Sequence, residues 1–146
     1  MSLTPIIYGP FLTSLATAGV NFNVDSFKAM LVGSGYTPNQ NTHQYKSSVN
    51  FEVSGSGYVA GGMGISGVLL TYDSVNKRLQ VGASPLVWAN VTIAAIRYCV
   101  VYDDTPIADA AKPLICYIDF GTDQAPSDQS FYVTWPTTGM LNLVLP

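Results

Sequence analysis

His43 is the single imidazole in the chain. A Ser-His-Asp or Cys-His site would have to be built on it, because those mechanisms need a base that titrates near neutrality. It sits in a Thr/Asn/Gln-rich stretch with no nucleophile signature beside it, which reads as a loop histidine hydrogen-bonded to its neighbours. Asp119, Asp123 and Asp128 fall on one short segment and offer the oxygen donors that calcium takes, but without the order and closing glutamate of an EF-hand. Their spacing suits turns, where aspartates accept hydrogen bonds from local backbone amides. Asp103 and Asp104 read the same way at the end of a strand, and no close carboxylate pair suited to acid–base work is visible.

The glycine-rich residues 54–64 invite comparison with a phosphate-binding loop. They lack the Gly-Lys-Ser/Thr ending and the strand–loop–helix setting that such a loop requires. Backbone at positive φ, a bulge or a sharp turn, accounts for them better. Cys99 and Cys116 flank one loop, and the simplest register across it, Asp103 opposite Lys112, sets the two thiols face to face. Free cross-strand thiols acting as small buried hydrophobes are expected over a disulfide. With no Cys-x-x-Cys or Cys/His cluster, a zinc site is not expected. These residues predict a non-enzymatic protein with no cofactor and no metal.

Composition narrows the partner. Charged residues make up only 10% of the 146, six Lys+Arg against nine Asp+Glu, and Glu52 is the one glutamate. An ordinary soluble domain carries about 25%. Apolar residues make up 48%, so the shortage of charge suggests a surface covered by other protein, or one rich in uncharged Ser, Thr and Asn. A net charge of −3 and the absence of any basic run predict no nucleic-acid partner, since counterion release needs a basic stripe. The same balance predicts no anionic membrane partner, and the apolar stretches are too short for a spanning helix. The first residues lack the basic and apolar regions of a signal peptide, which predicts a protein made in a reducing cytosol. Nine tyrosines favour core or interface use, with stacking on sugars as the rival.

The elements that would position these groups are short strands. Aromatic and β-branched residues fall in blocks separated by Gly, Pro, Asn and Asp, the pattern of an all-β sandwich or barrel. Strands are predicted at residues 27–32, 65–72, 79–83, 91–103, 114–120, 130–135 and 140–145, with one short N-terminal helix over 11–16 ending at Gly19. Residues 33–45 form a long polar loop, and residues 73–77 a turn. Trp88, Phe120, Phe131 and Trp135 are expected between two packed sheets. The prediction is a mainly β, single-domain antiparallel β-sandwich over residues 1–146, with residues 1–10 as an extended arm.

An ordered set of short motifs runs through the chain. It begins with Asp25-x-Phe27-Lys28-x-x-Leu31, Tyr36-Thr37-Pro38 and Thr42-His43-x-Tyr45. It continues through Glu52-Val53-Ser54-Gly55-x-Gly57-Tyr58-x-Ala60-Gly61-Gly62, Tyr72-Asp73 and Trp88-Ala89-Asn90. Arg97-Tyr98, Val101-Tyr102-Asp103, Pro113-Leu114-Ile115, Asp119-Phe120-Gly121 and Phe131-x-Val133-x-Trp135 complete it. In this order the chain resembles a family of small structural proteins of tailed bacteriophages and prophages, over residues 11–143. Some similar proteins are capsid decoration (cement) proteins on the outside of HK97-type heads.

The resemblance implies a jelly-roll-like sandwich and no catalytic residues. It also implies a place on the virion, at the capsid surface, after synthesis in the host bacterial cytoplasm. The partners it implies are the major capsid protein and neighbouring copies of the same chain, as a dimer or trimer on the particle. Two segments fit no core strand and are expected to make the capsid or self contacts. One is the arm Ser2, Leu3, Thr4, Pro5, Ile6, Ile7 and Tyr8. The other is the loop bearing Tyr36, Thr37, Pro38, Asn39, His43 and Tyr45. The alternative function is a tail or fibre β-sandwich that binds a host-surface glycan.

Overall fold

A computed structural model describes residues 3–146. The chain runs β1 (Ile6–Ile7), α1 (Gly9–Ala16), β2 (Phe27–Val32), β3 (Gly55–Ser56), β4 (Met63–Gly64), β5 (Leu69–Asp73) and β6 (Arg78–Gly82), then β7 (Leu86–Ile93), β8 (Ile96–Asp103), β9 (Leu114–Gln124), β10 (Gln129–Val133) and β11 (Leu141–Val144). All the pairings are antiparallel, in three sheets of order β1-β9-β8-β2-β4, β10-β7-β3 and β11-β6-β5. The result is a mainly β architecture with one short α-helix, consistent with a β-sandwich. This strand order does not establish the jelly roll.

α1 forms where Pro10 sits in the first turn, its missing N–H costing nothing there. It ends as Gly19 N–H donates back to the Ser14 carbonyl at 2.7 Å. Phe11 of α1 meets Phe22, and Phe22 stacks on Phe27 of β2 with ring centroids 5.0 Å apart. β8 is the centre of the five-stranded sheet and is paired on both sides. Cys99, Val101 and Asp103 share a face with Leu31, Ala29 and Phe27, while Tyr98, Val100 and Tyr102 occupy the other. Both faces are covered, so the apolar/polar alternation of a half-exposed strand fades.

Two sequence expectations change in the fold. The strand expected over residues 91–103 is two strands in different sheets, broken at Ala94 and Ala95. The register of β8 on β9 also differs from the simplest one. Tyr102 pairs with Leu114, Ile115 is then taken up in a bulge, and Val101 pairs with Cys116. Cys99 therefore lies opposite Ile118 and diagonal to Cys116, on the same face. A diagonal pair is spaced beyond ordinary disulfide geometry, and both thiols are free and buried. The Cys116 Sγ instead lies 3.7 Å from the Met140 carbonyl, where β9 meets the segment leading into β11.

The aromatic core forms largely as expected. Trp88, Phe120 and Trp135 are buried and Phe131 is half-buried, with Phe131 meeting Phe120 edge-on at 5.5 Å and Trp88 at 6.2 Å. Residues 54–64 wind over β2 as a chain of tight turns rather than as a phosphate loop. Gly62 has φ +84° and lies so close to the Ala29 carbonyl that no side chain fits there. Glu52 pins this stretch, accepting from the Tyr58 hydroxyl at 2.7 Å and from Gly61 N–H at 2.6 Å.

Candidate functional site

Residues 33–45 are held by their own turn chemistry. Tyr36 N–H donates to the Gly33 carbonyl as the chain leaves β2. The Asn39 side chain then accepts from the N–H groups of Asn41 at 3.0 Å and Thr42 at 3.2 Å. This Asx turn lets His43 N–H donate to the Asn39 carbonyl at 3.0 Å and folds the imidazole back over the loop. The loop ends against β9, where Leu114 N–H donates to the Gln44 carbonyl and Tyr45 bridges Pro113.

The N-terminal segment is stitched to this loop. β1 pairs with β9, Ile6 opposite Tyr117 and Ile7 opposite Cys116. Gly9 N–H donates to the Gln40 carbonyl at 2.7 Å, and Gln40 Nε2 donates to the Ile7 carbonyl at 2.9 Å. Beneath these, the Tyr8 and Tyr36 hydroxyls are 2.9 Å apart and the Tyr36 hydroxyl is 2.8 Å from His43 Nδ1. Asn39 N–H also approaches Nδ1 at 3.3 Å. Nδ1 is thus the acceptor, the chain of donors runs Tyr8 to Tyr36 to His43, and the ring proton belongs on Nε2. Burial lowers the His43 pKa below its ordinary value. Burial raises the Tyr36 and Tyr8 hydroxyls above theirs. His43 is therefore neutral at physiological pH, and the group acts as a structural clasp.

The expected contact residues divide accordingly. Ser2 lies outside the described residues. Tyr8 and Tyr36, expected at a contact surface, are core residues with 0% and 1% exposure, because their rings pack on Tyr117 and Tyr98. Leu3, Pro5, Ile6 and Ile7 are half-buried, so the arm is a docked strand rather than a free extension. Thr4, Thr37 and Asn39 are exposed, and Pro38, His43 and Tyr45 are half-buried. With the neighbouring Gln40, Asn41 and Thr42, the loop residues present uncharged amides and hydroxyls, and Gln40 joins the loop to the N-terminal segment.

Of the aspartates on the β9–β10 stretch, Asp119 and Asp123 both act on the Arg97 guanidinium. Asp119 takes Arg97 Nε at 2.7 Å and Gly121 N–H at 2.8 Å, and Arg97 first among these holds its carboxyl below the usual range. Asp128 uses its backbone N–H on the Thr92 hydroxyl. No group of three His, Cys, Asp or Glu among the described residues is placed to hold a metal. Between β9 and β10 lies a cleft of about 240 Å³ lined by Phe120, Gln124, Ser130, Phe131 and Tyr132, with Tyr132 62% exposed. An open cleft of about 370 Å³ lies between the residues 33–35, 51–54 and 93–95.

One close carboxylate pair exists that the sequence does not reveal. Asp25 and Asp103 are 78 positions apart and meet only because β2 pairs with β8, Phe27 opposite Asp103. No local motif marks them; a buried polar residue at the end of an apolar strand is the only trace.

No helix among the described residues is long and apolar enough to cross a membrane. No family model, curated protein or solved structure matches the chain.

Proposed function

We propose that this protein is a non-enzymatic structural component of a tailed-phage particle, one that binds the outside of the capsid and ties neighbouring capsomers together. The observation that carries this reading is the joined surface of the N-terminal segment and residues 33–45. Its exposed residues are uncharged and rich in hydrogen-bonding groups, and the two segments are joined by the Tyr8–Tyr36–His43 clasp. A surface of that kind suits a protein partner held by shape and hydrogen bonds rather than by charge. The low charge of the whole chain and the resemblance of its ordered motifs to those of phage structural proteins support the same reading. A clamp that binds only the mature shell stabilises that state by mass action.

The test is the copy number in purified particles of the encoding phage, by quantitative gel densitometry against the major capsid protein. A ratio near one copy per capsid subunit, or per capsomer, is expected. Absence from the particle would overturn the proposal.

The aromatic cleft between β9 and β10 favours a second reading, a tail or fibre module that binds a host glycan. Exposed Tyr132 offers a stacking face, and Gln124 and Ser130 offer polar groups at its edge. A handful of copies per particle, with glycan-array binding lost in Tyr132→Ala, would establish this reading instead.

A further inference from the structure

The end of β8 carries an arrangement that the contact surface does not use. Asp103 is 0% exposed and lies on the core face beside Phe27. Its Oδ1 accepts Thr105 N–H at 2.9 Å. Its Oδ2 is buried and accepts from no N–H or O–H donor among the described residues. A buried carboxylate oxygen left in that state is costly. Besides the backbone and side chain of Thr105, the Asp25 carboxyl lies within hydrogen-bonding reach of Asp103. Asp25 is fixed in turn by accepting Asn21 N–H at 2.8 Å. Two carboxyl groups so placed attract when one is protonated and repel when both are ionised.

The cations of the surrounding elements are committed elsewhere. Lys28 of β2 sits opposite Tyr102, on the far face of the sheet from Asp103, and reaches Asp104 at 3.2 Å. Lys112 reaches Asp104 at 2.6 Å, and Lys46 reaches Asp109 at 3.0 Å. Tyr102 also lies on the far face and donates its hydroxyl to the Gly61 carbonyl. α1 carries no charged residue. A proton is therefore what remains to join the two acids.

We propose that Asp25 and Asp103 share one proton as a built-in acid-sensitive latch, which fastens the turn of residues 21–25 to the end of β8 and loosens it when the proton is lost. Burial, followed by the hydrogen bond to Asp25, raises Asp103 from the ordinary 3.8 to about 6. The folded value lies above the unfolded one, so the latch contributes fully below about pH 4 and is lost as pH rises through about 6. His43 titrates in the opposite sense. It lies against Tyr36 and Asn39 rather than this turn, so a local readout separates the two.

The test is amide hydrogen exchange of residues 21–25 at about pH 5 and about pH 7.5, corrected for intrinsic rates, in the unaltered chain and in Asp103→Asn. The unaltered chain should lose roughly tenfold or more in protection at the higher pH, the equilibrium equivalent of one pKa unit. Asp103→Asn should show no such loss, because its amide donates to Asp25 at every pH. Asp25→Asn, which donates in the other direction, provides the same test if Asp103→Asn fails to fold. Unchanged protection in the unaltered chain, or an equal loss in both asparagine variants, would overturn the latch. Protection restored at the higher pH by millimolar calcium would also overturn it, by making the pair a cation site.

Discussion

The hydroxyls of Tyr8 and Tyr36 lie 2.9 Å apart in the core and join two segments that are 28 positions apart in the chain. Tyr36 is the middle member, because its hydroxyl also reaches His43 Nδ1 at 2.8 Å. The N-terminal segment and the polar loop are consequently tied together through their side chains. A partner that grips either segment meets the other already in place, which lowers the ordering cost of binding.

That arrangement orders the effects of removing each hydroxyl. Tyr36→Phe strands a buried Tyr8 hydroxyl and should cost about 1–3 kcal/mol. Tyr8→Phe leaves Tyr36 bonded to His43 and should cost only about 0.5–1.5 kcal/mol. Urea denaturation of the two variants checks the order, and a larger loss in Tyr8→Phe would contradict the clasp.

The thiols should be inert in the folded chain. Burial pushes Cys99 up to about 12 and raises Cys116 as well, so neither forms thiolate near neutrality. A colorimetric thiol reagent should find no reactive group in the native protein and two after denaturation, matching the two cysteines in the sequence. Their diagonal register predicts no mobility shift on non-reducing gels after mild oxidation.

Gly62 should resist substitution. Its φ of +84° and its close approach to the Ala29 carbonyl leave no room for a side chain. Gly62→Ala should destabilise by more than about 1 kcal/mol, since strain and a backbone clash add. Gly64 has open space around its Cα, so Gly64→Ala serves as the control and should differ little in thermal midpoint.

On the acid side, stability should fall below about pH 4. The Asn76 side chain lowers Asp73, Lys46 lowers Asp109 and Arg97 lowers Asp119. Asp104 is lowered by Lys112 and Lys28 against the opposing effect of its burial. A depressed carboxylate contributes above its unfolded value and loses that contribution as pH falls through the folded one. Circular dichroism melts from pH 5 downward should show a falling midpoint, and Lys112→Met should flatten the fall.

The sequence by itself determined the local elements. β2 over residues 27–32 follows from Phe27, Ala29 and Leu31 on one face, and α1 from Pro10 at its start and Gly19 after its end. The turn over residues 73–77 follows from Asp73, which accepts from Val75 and Asn76 N–H. The burial of Val133 and Trp135 was legible from the alternation around Phe131. The two-residue strands β1, β3 and β4 were not legible, because two residues carry no period.

Only the tertiary structure decided what meets what. Tyr102 pairs with Leu114 rather than Pro113, and the bulge at Ile115 adds one more step, so Cys116 moved from Cys99 to Val101, a shift of two that kept both thiols on one face. The break at Ala94 and Ala95 sent β7 and β8 into different sheets. Pairing of β2 with β8 brought Asp25 to Asp103, and packing around Tyr98 and Tyr117 drew Tyr8 and Tyr36 out of the contact surface expected for them. Periodicity in a chain reports which face a side chain takes, whereas register and layer packing are set by bulges, loop lengths and long-range contacts that leave no local pattern.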